Sequence, residues 1–191
     1  AAVDESYVDM EFAYDKSLEY TCIYNIGILR VKNGTKKFTQ LTIEKLNEDG
    51  EYNLLDKFFK LVNDKTVIFH WNHTERTMLQ QAIERHEYPQ DWKLPICIDF
   101  YKIMKDNAIA VKGCYNLKLK SVARAMKRNN MIEHYHEDIV HGTDLSTRII
   151  DMYETDSYNV NDPFIKRVEE YNKDDILTMY EIINTVRDYY K

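Results

Sequence analysis

The strongest constraint on the fold is a set of three strand-like runs at the start of the chain, at residues 6–14, 20–31 and 36–43. Each run is rich in Tyr, Val, Ile, Phe and Thr, the residues that strands favour. Residues 32–35, between the second and third runs, contain Asn-Gly, a strong signal for a tight hairpin turn. The chain is therefore predicted to open with an antiparallel meander.

After the meander, the apolar residues alternate between helical and strand spacing. The spacing predicts a helix over residues 51–62, a strand over 66–71, a helix over 74–86, a strand over 96–100 and a short helix over 101–105. A meander followed by alternating strands and helices indicates an α/β fold. We expect a mixed five-stranded sheet, antiparallel at first and then parallel, flanked by helices.

The last predicted helix is long and amphipathic and runs from residue 163 to residue 190. Asn161 and Asp162 can cap it, and Pro163 suits the first helical position. One face of this helix collects six apolar or aromatic residues and one acid: Phe164, Val168, Tyr171, Asp175, Met179, Ile182 and Val186. A buried carboxylate is costly unless it is paired or binds a metal. Asp175 could therefore meet a buried Arg or Lys, be exposed by drift of the stripe, or act as a ligand.

Three further acids, like Asp175, lie within or beside predicted elements that are otherwise largely apolar. Alternation places Val8 and Met10 on one face of the first strand and Asp9 and Glu11 on the other. Two acids held this close repel each other unless a cation lies between them, although the polar face of a half-buried strand gives the same pattern. Glu75 begins the helix after the fourth strand, where an acid could simply stabilise the helix N-terminus.

In order and spacing, these residues resemble the three motifs of the DEDD superfamily of 3'→5' exonucleases, whose fold is ribonuclease H-like. The matching positions are Asp9 and Glu11 for D-x-E, His70, Glu75 and Leu79 for the second motif, and Tyr171 and Asp175 for Y-x-x-x-D. Tyr171 is similar to the tyrosine subclass (DEDDy), and "FYKIMK" and "NLKLKSVARAM" resemble the predicted RecB-like, ribonuclease H-like nuclease branch. Three positions depart from the usual pattern: Glu75 replaces Asp, Trp71 replaces Asn, and Phe12 replaces Thr.

The resemblance implies a metal-dependent 3'→5' exonuclease that hydrolyses DNA or RNA with two Mg²⁺ or Mn²⁺ ions, which oxygen ligands suit. Asp9 would bridge the two ions, and Glu11 and Asp175 would complete the shell. Glu75 would bind directly or through a water, and Tyr171 would orient the attacking water. On this interpretation Asp9 and Glu11 face a divalent metal and not a basic residue.

A basic segment is the candidate for holding the substrate. Residues 112–128 contain six basic and no acidic side chains. The predicted phosphate contacts on this segment are Lys118, Lys120, Arg124, Lys127 and Arg128. Met10, Phe12, His70 and Trp71 adjoin the acids and are the other candidate nucleic-acid contacts, with Phe12 and Trp71 able to stack on bases. The basic face could equally be solvated, and the two aromatic residues could equally be core.

Length and composition limit the number of domains, the mode of nucleic-acid binding and the compartment that we expect. The 191 residues, 44% of them hydrophobic, fit a single domain over residues 1–191 that could be excised from a larger protein. The net charge of −6 disfavours coating nucleic acid by bulk electrostatics. No apolar run is long enough to span a membrane, and Cys22, Cys97 and Cys114 form no paired pattern. We expect an intracellular, reducing compartment.

The expected partner is nucleic acid with a single-stranded 3' end, and the chain could be fused to or bind a larger replication, repair or RNA-processing protein. Two alternatives stay open: a catalytically weak or inactive nuclease-like module that binds nucleic acid or a protein, and an endonuclease that uses the same metal site. For the segment with His134, His136 and His141, which lacks Cys, a loop or edge strand is favoured over a zinc site.

Overall fold

Five strands form one mixed sheet in the computed structural model of this chain, which describes residues 4–14, 19–135 and 142–191. The strands are β1 Glu5–Tyr14, β2 Thr21–Lys32, β3 Thr35–Thr42, β4 Val67–His70 and β5 Ile96–Asp99. Their order across the sheet is β3-β2-β1-β4-β5. β2 pairs antiparallel with β1 and β3, whereas β4 pairs parallel with β1 and β5. The predicted meander followed by parallel strands is confirmed.

Six helices flank the sheet within the described residues. They are α1 Glu48–Leu61, α2 Thr74–Arg85, α3 Phe100–Asp106, α4 Leu119–Arg128, α5 Gly142–Glu154 and α6 Pro163–Tyr189. The predicted start of α6 is confirmed, because the Asp162 carboxylate accepts from the Phe164 N–H at 2.7 Å. α1 begins before residue 51 because Asn47 caps it through the Gly50 N–H at 2.8 Å. None of these described helices is long and apolar enough to cross a membrane.

Helices cover both faces of β1. Val8 and Met10 belong to one apolar cluster, together with residues of α1, α2, α5 and the first turns of α6. Tyr7 belongs to a second cluster, with residues of α3, α4 and the rest of α6. The predicted alternation along β1 is therefore confirmed. The Tyr7 face is covered rather than open to water, and Asp9 and Glu11 share that face.

Gly27 allows α6 to approach the sheet at the level of Asp9. In the β1–β2 ladder, Gly27 stands opposite Asp9. A Cβ atom on Gly27 would lie 2.1 Å from Oδ1 of Asn172 and 2.4 Å from Cδ1 of Ile176, both on α6. The absence of a side chain lets the buried Asn172 amide donate to the Asp9 carboxylate at 2.9 Å and to its carbonyl oxygen at 3.1 Å. Gly27 thereby fixes the distance between α6 and β1.

Replacing Gly27 with Ala should destabilise the fold by about 1–3 kcal/mol, because the added methyl group overlaps the Asn172 amide. The free energy of unfolding in urea would measure the loss. In a double-mutant cycle, Gly27→Ala and Asn172→Ala should couple by at least about 1 kcal/mol.

Gly34→Ala serves as the control for additivity: no described heavy atom lies within 4 Å of an added Cβ there, so its cost comes from the positive φ of 78° and not from a contact with Asn172. Its effect and that of Asn172→Ala should add within about 0.5 kcal/mol. Additive behaviour of the Gly27 pair would contradict the proposed contact.

Candidate functional site

The sheet opens a crevice where β1 runs beyond its parallel neighbour. β1 pairs with β4 only over residues 5–7, whereas its ladder with β2 continues to Tyr14. Asp9 and Glu11 therefore follow the last residue of β1 that pairs with β4. In α/β sheets, ligands bind in crevices outside the carboxyl ends of parallel strands. The position of the two acids in the sheet is thus one at which a site is expected.

Carboxylates from three elements interact in this crevice. They are Asp9 and Glu11 of β1, Glu75 of α2 and Asp175 of α6. Burial raises the pKa of Asp9 well above its ordinary value, and the negative charges of the other three raise it further. Burial likewise raises the pKa of Glu11 to about 8, with added increases from Asp175 and Glu75. The structure therefore brings all four predicted metal ligands into one group whose charges repel.

Glu75 lies against the end of β4. It is 5% exposed, and its Oε2 atom is 3.3 Å from Nδ1 of the buried His70. The same nitrogen is 2.5 Å from the carbonyl oxygen of Asn72, which leaves Oε2 without a hydrogen-bond partner among the described residues. Burial raises the pKa of Glu75, and His70 opposes this shift. An unsatisfied buried carboxylate oxygen facing other acids is suited to a cation.

The side chain of Lys120 offsets part of the repulsion. The Lys120 ammonium forms an ion pair with Oδ1 of Asp175 and lies 4.5 Å from the centroid of the Tyr171 ring. Its charge also lowers the pKa of Asp9 and of Glu11. Asp175 therefore meets a lysine, one of the alternatives left open by the sequence. A basic residue therefore lies near Asp9 and Glu11, contrary to that part of the prediction, whereas the predicted divalent metal at these acids stays a prediction.

The donor chemistry of the group fits a hard divalent cation. Carboxylate oxygens are the ligands that Mg²⁺ and Mn²⁺ prefer, and a cation would relieve the mutual repulsion that raises these pKa values. In the described part of the chain, no three His, Cys, Asp or Glu side chains are already arranged to hold a metal ion. Lys120 and Asn172 contact the carboxylates of Asp175 and Asp9, so metal binding would require these contacts to rearrange.

Another buried acid shows how a structural carboxylate differs from this group. Glu51 of α1 is fully buried and accepts from the Ile23 N–H at 2.8 Å. Its two oxygens also bind Arg85, at 2.7 and 2.8 Å, and lie beside His86. Glu51 therefore has a complete set of donors of its own, whereas the carboxylates of the crevice lie close enough to one another to raise the pKa values of Asp9 and Glu11.

Several predicted nucleic-acid contacts lie in the interior. Met10 is 3% exposed and packs in the cluster on the face of the sheet opposite the acids, so its assignment to a nucleic-acid contact is corrected to a core role. Trp71 is also buried, and its indole N–H donates to the Leu117 carbonyl at 2.9 Å. His70 is buried against Glu75, and Phe12 is half-buried against the same cluster as Met10. The buried rings of His70 and Trp71 are therefore not open for stacking.

The basic residues of α4, together with Lys118 immediately before it, are better placed for a ligand. Lys118, Arg124, Lys127 and Arg128 are exposed, and the apolar face of α4 packs in the second cluster. Lys127 donates to the Glu133 carbonyl at 2.5 Å. Lys120 differs from the other four, because it points to Asp175. α4 therefore joins the acid group to an exposed basic surface.

The predicted histidine segment is described only in part. Nε2 of His134 lies 3.4 Å from Oδ1 of Asp174, the neighbour of Asp175. His136 and His141 lie outside the described residues. The expected loop or edge strand over this segment therefore stays a prediction.

Sequence reasoning missed the amide residues that hold the group in place. Asn172 lies three residues before Asp175 and four after Val168, on the same face of α6. Gln40 donates to Oδ1 of Asn172 at 3.1 Å and to Oδ1 of Asn25 at 2.6 Å. The available signal was a polar residue at helical spacing within the apolar stripe, the same signal that identified Asp175.

The fold agrees with a comparison against known families. A family model described as the RNase H superfamily matches residues 6–187, from within β1 to within α6. The chain belongs to the ribonuclease H superfamily. No curated protein matches this superfamily member closely enough to be compared with it.

Membership in the ribonuclease H superfamily indicates a nuclease-type fold and hydrolysis of nucleic acid. It confirms the predicted α/β sheet and the ribonuclease H-like part of the resemblance. Nucleases of this superfamily generally use divalent metals, which agrees with the acidic donor set at the crevice.

The raised pKa of Glu11 predicts how the stability of the metal-free protein depends on pH. Its folded-state value of about 8 exceeds the ordinary value of 4.5, so the folded state holds a proton that the unfolded state releases. The contribution to stability is complete below pH about 4.5 and is lost as the pH rises towards about 8. Melting temperatures measured in EDTA should fall over this interval.

Glu11→Gln should flatten the decline, because the amide cannot ionise. Glu44→Gln provides a control, since Glu44 is exposed and pairs only with the exposed Lys57. Equal slopes for wild type and Glu11→Gln would contradict a Glu11 pKa near 8.

Proposed function

We propose that this ribonuclease H superfamily member is a metal-dependent 3'→5' exonuclease that hydrolyses phosphodiester bonds of DNA or RNA. The observation that carries the proposal is the group of four mutually repelling carboxylates at the end of the parallel part of the sheet. Such a group has no advantage for folding, because buried like charges destabilise the folded state. It has a clear use in holding divalent ions.

The residues that would hold the ions are Asp9, Glu11 and Asp175, with Glu75 acting directly or through a water. When bound, a pair of Mg²⁺ or Mn²⁺ ions supplies an activated water and neutralises the charge that develops on the leaving oxygen. The tyrosine subclass resemblance assigns Tyr171 the task of orienting that water. Tyr171 lies one helical turn before Asp175 on α6, which agrees with this role.

The exposed basic residues of α4 and its N-cap residue would bind the substrate. Lys118, Arg124, Lys127 and Arg128 offer positive charge on a chain whose net charge is −6. Phosphate contacts of this kind position a strand without reading its sequence. Because α4 also carries Lys120, a strand bound along its basic face would lie close to the acids.

The contact of Lys120 with Asp175 favours a second candidate function. A lysine that neutralises one of the acids would allow the protein to bind nucleic acid with little or no catalysis. An exonuclease should hydrolyse nucleic acid when a divalent metal is present, whereas a binding module should bind nucleic acid without hydrolysing it.

Asp9→Asn and Asp175→Asn should each reduce hydrolysis of labelled single-stranded DNA and RNA by at least about a hundredfold in Mg²⁺ or Mn²⁺, since each removes a proposed ligand. Asp174→Asn is the matched control, because Asp174 adjoins Asp175 but is 43% exposed and pairs with His134. It should retain wild-type activity.

The length of the products from 3'- and 5'-labelled strands distinguishes the outcomes. A ladder that shortens from the 3' end supports exonuclease action, and internal fragments indicate an endonuclease. Wild-type protein that is inert on every substrate would favour the binding module. Activity that persists in both Asp9→Asn and Asp175→Asn would show that hydrolysis does not depend on these two carboxylates.

Metal binding should be visible without catalysis. Mn²⁺ at 100 times its Kd should stabilise the wild-type protein by about 2.7 kcal/mol, through preferential binding to the folded state. Asp9→Asn should melt at a higher temperature than wild type in EDTA, because it removes one of the repelling charges, and should lose most of the Mn²⁺ effect. Equal Mn²⁺ shifts in the two proteins would exclude Asp9 as a ligand.

A further inference from the structure

The connection between α3 and α4 carries the most exposed aromatic side chain among the large hydrophobic residues of the described chain. Tyr115 is 97% exposed. Lys112 and Lys118 on either side of it are also exposed. Burying an aromatic ring is favourable, so a ring presented almost completely to water is a candidate for contact with a ligand.

The loop around Tyr115 is anchored on both sides. The Lys112 carbonyl accepts from the Asn129 side chain at 2.9 Å, and the Leu117 carbonyl accepts from the indole of Trp71 at 2.9 Å. Val111 is buried in the second apolar cluster, and Leu117 packs against that cluster. Tyr115 therefore extends from a fixed loop, so that less ordering would be needed when a ligand covers the ring.

The sequence on both sides of Tyr115 carries basic and no acidic side chains. No Asp or Glu occurs between residues 107 and 132. Within this span, Lys112, Lys118 and Arg124 are exposed together with the ring. A polyanion would therefore meet positive charge on both sides of Tyr115 in the sequence, despite the acidic net charge of the chain.

The same loop leads into the acid group. Trp71, which anchors the loop, directly follows His70, and His70 contacts Glu75. On the same, C-terminal side of Tyr115, Lys120 follows Lys118 by two residues and pairs with Asp175. The loop that carries the exposed ring is thus connected to the acids at its C-terminal side, through Leu117 and Trp71 and through Lys120.

We propose that Tyr115 is a stacking site for an unpaired nucleobase of the substrate, with Lys112 and Lys118 binding the neighbouring phosphates. This inference rests on the proposed function and narrows its substrate to single-stranded nucleic acid. A base in a single strand exposes its face to an aromatic ring, whereas the faces of paired bases are covered by stacking within the duplex. Stacking on Tyr115 would not depend on the identity of the base.

The test is fluorescence anisotropy with a labelled single-stranded oligonucleotide in EDTA, so that binding is measured without hydrolysis. Tyr115→Ala should raise the Kd by about tenfold, and Tyr115→Phe should stay within about twofold of wild type, because the stacking ring is retained. Binding of a blunt duplex of the same sequence should be unchanged in both variants. An oligonucleotide with abasic sites should bind wild type and Tyr115→Ala equally.

Tyr88→Ala is the matched control. Tyr88 is 68% exposed, and residues 86–92 around it contain no Lys or Arg. It should bind like wild type. Lys118→Ala should lower the dependence of the Kd on salt, whereas Tyr115→Ala should not, because the ring is uncharged.

The outcomes separate the two proposals. If wild type binds the single strand and Tyr115→Ala matches Tyr88→Ala, the stacking site is wrong and the nuclease proposal is unaffected. If Tyr115→Ala weakens the single strand and the duplex equally, the preference for unpaired bases is wrong. If wild type binds neither form, the nucleic-acid function itself fails.

Discussion

The structure depends on holding two buried and two half-buried carboxylates close together despite their repulsion. Two of them are fixed by the central strand β1, one by the start of α2 and one by α6. Gly27 allows α6 to pack close to the sheet, because it has no side chain that would keep Asn172 away from Asp9. Apolar packing of α6 on the sheet offsets the cost, and Lys120 and Asn172 reduce it locally. The rigid elements thus prepare an arrangement that a divalent cation would complete.

Most of the helices and strands could be predicted from the sequence, but only part of the candidate site could be. The hairpin and the start of α6 follow from local chemistry, namely the Asn-Gly turn and the Asp162 cap. Asp175 was recognisable because helical spacing makes an acid in an apolar stripe conspicuous. The pairing of Lys120 with Asp175 joins residues 55 apart in sequence and depends on how α4 packs on α6. Such tertiary contacts are not encoded in any local period.

The interior positions of Met10 and Trp71 also depend on tertiary packing, so the sequence did not predict them. Alternation along β1 separated Met10 from the acids correctly, but adjacency in sequence then suggested a shared function. In the folded protein the sheet itself stands between Met10 and the acid group. Trp71 serves the site indirectly by fixing the loop that carries Tyr115. Adjacency in a strand is therefore weaker guidance to function than a shared face.

The incomplete pairing of β1 has a consequence for solubility. Beyond Tyr7 the strand has no ladder with β4, and an uncovered strand edge is a template for aggregation. The side chains of Asn172 and Ser146 donate to the carbonyl oxygens of Asp9 and Phe12. Each of these bonds occupies a backbone acceptor that would otherwise be available to an intruding strand, and covering the carboxylates with an apolar strand would cost desolvation free energy. Asn172, Ser146 and the acids thereby protect this part of the sheet from self-association.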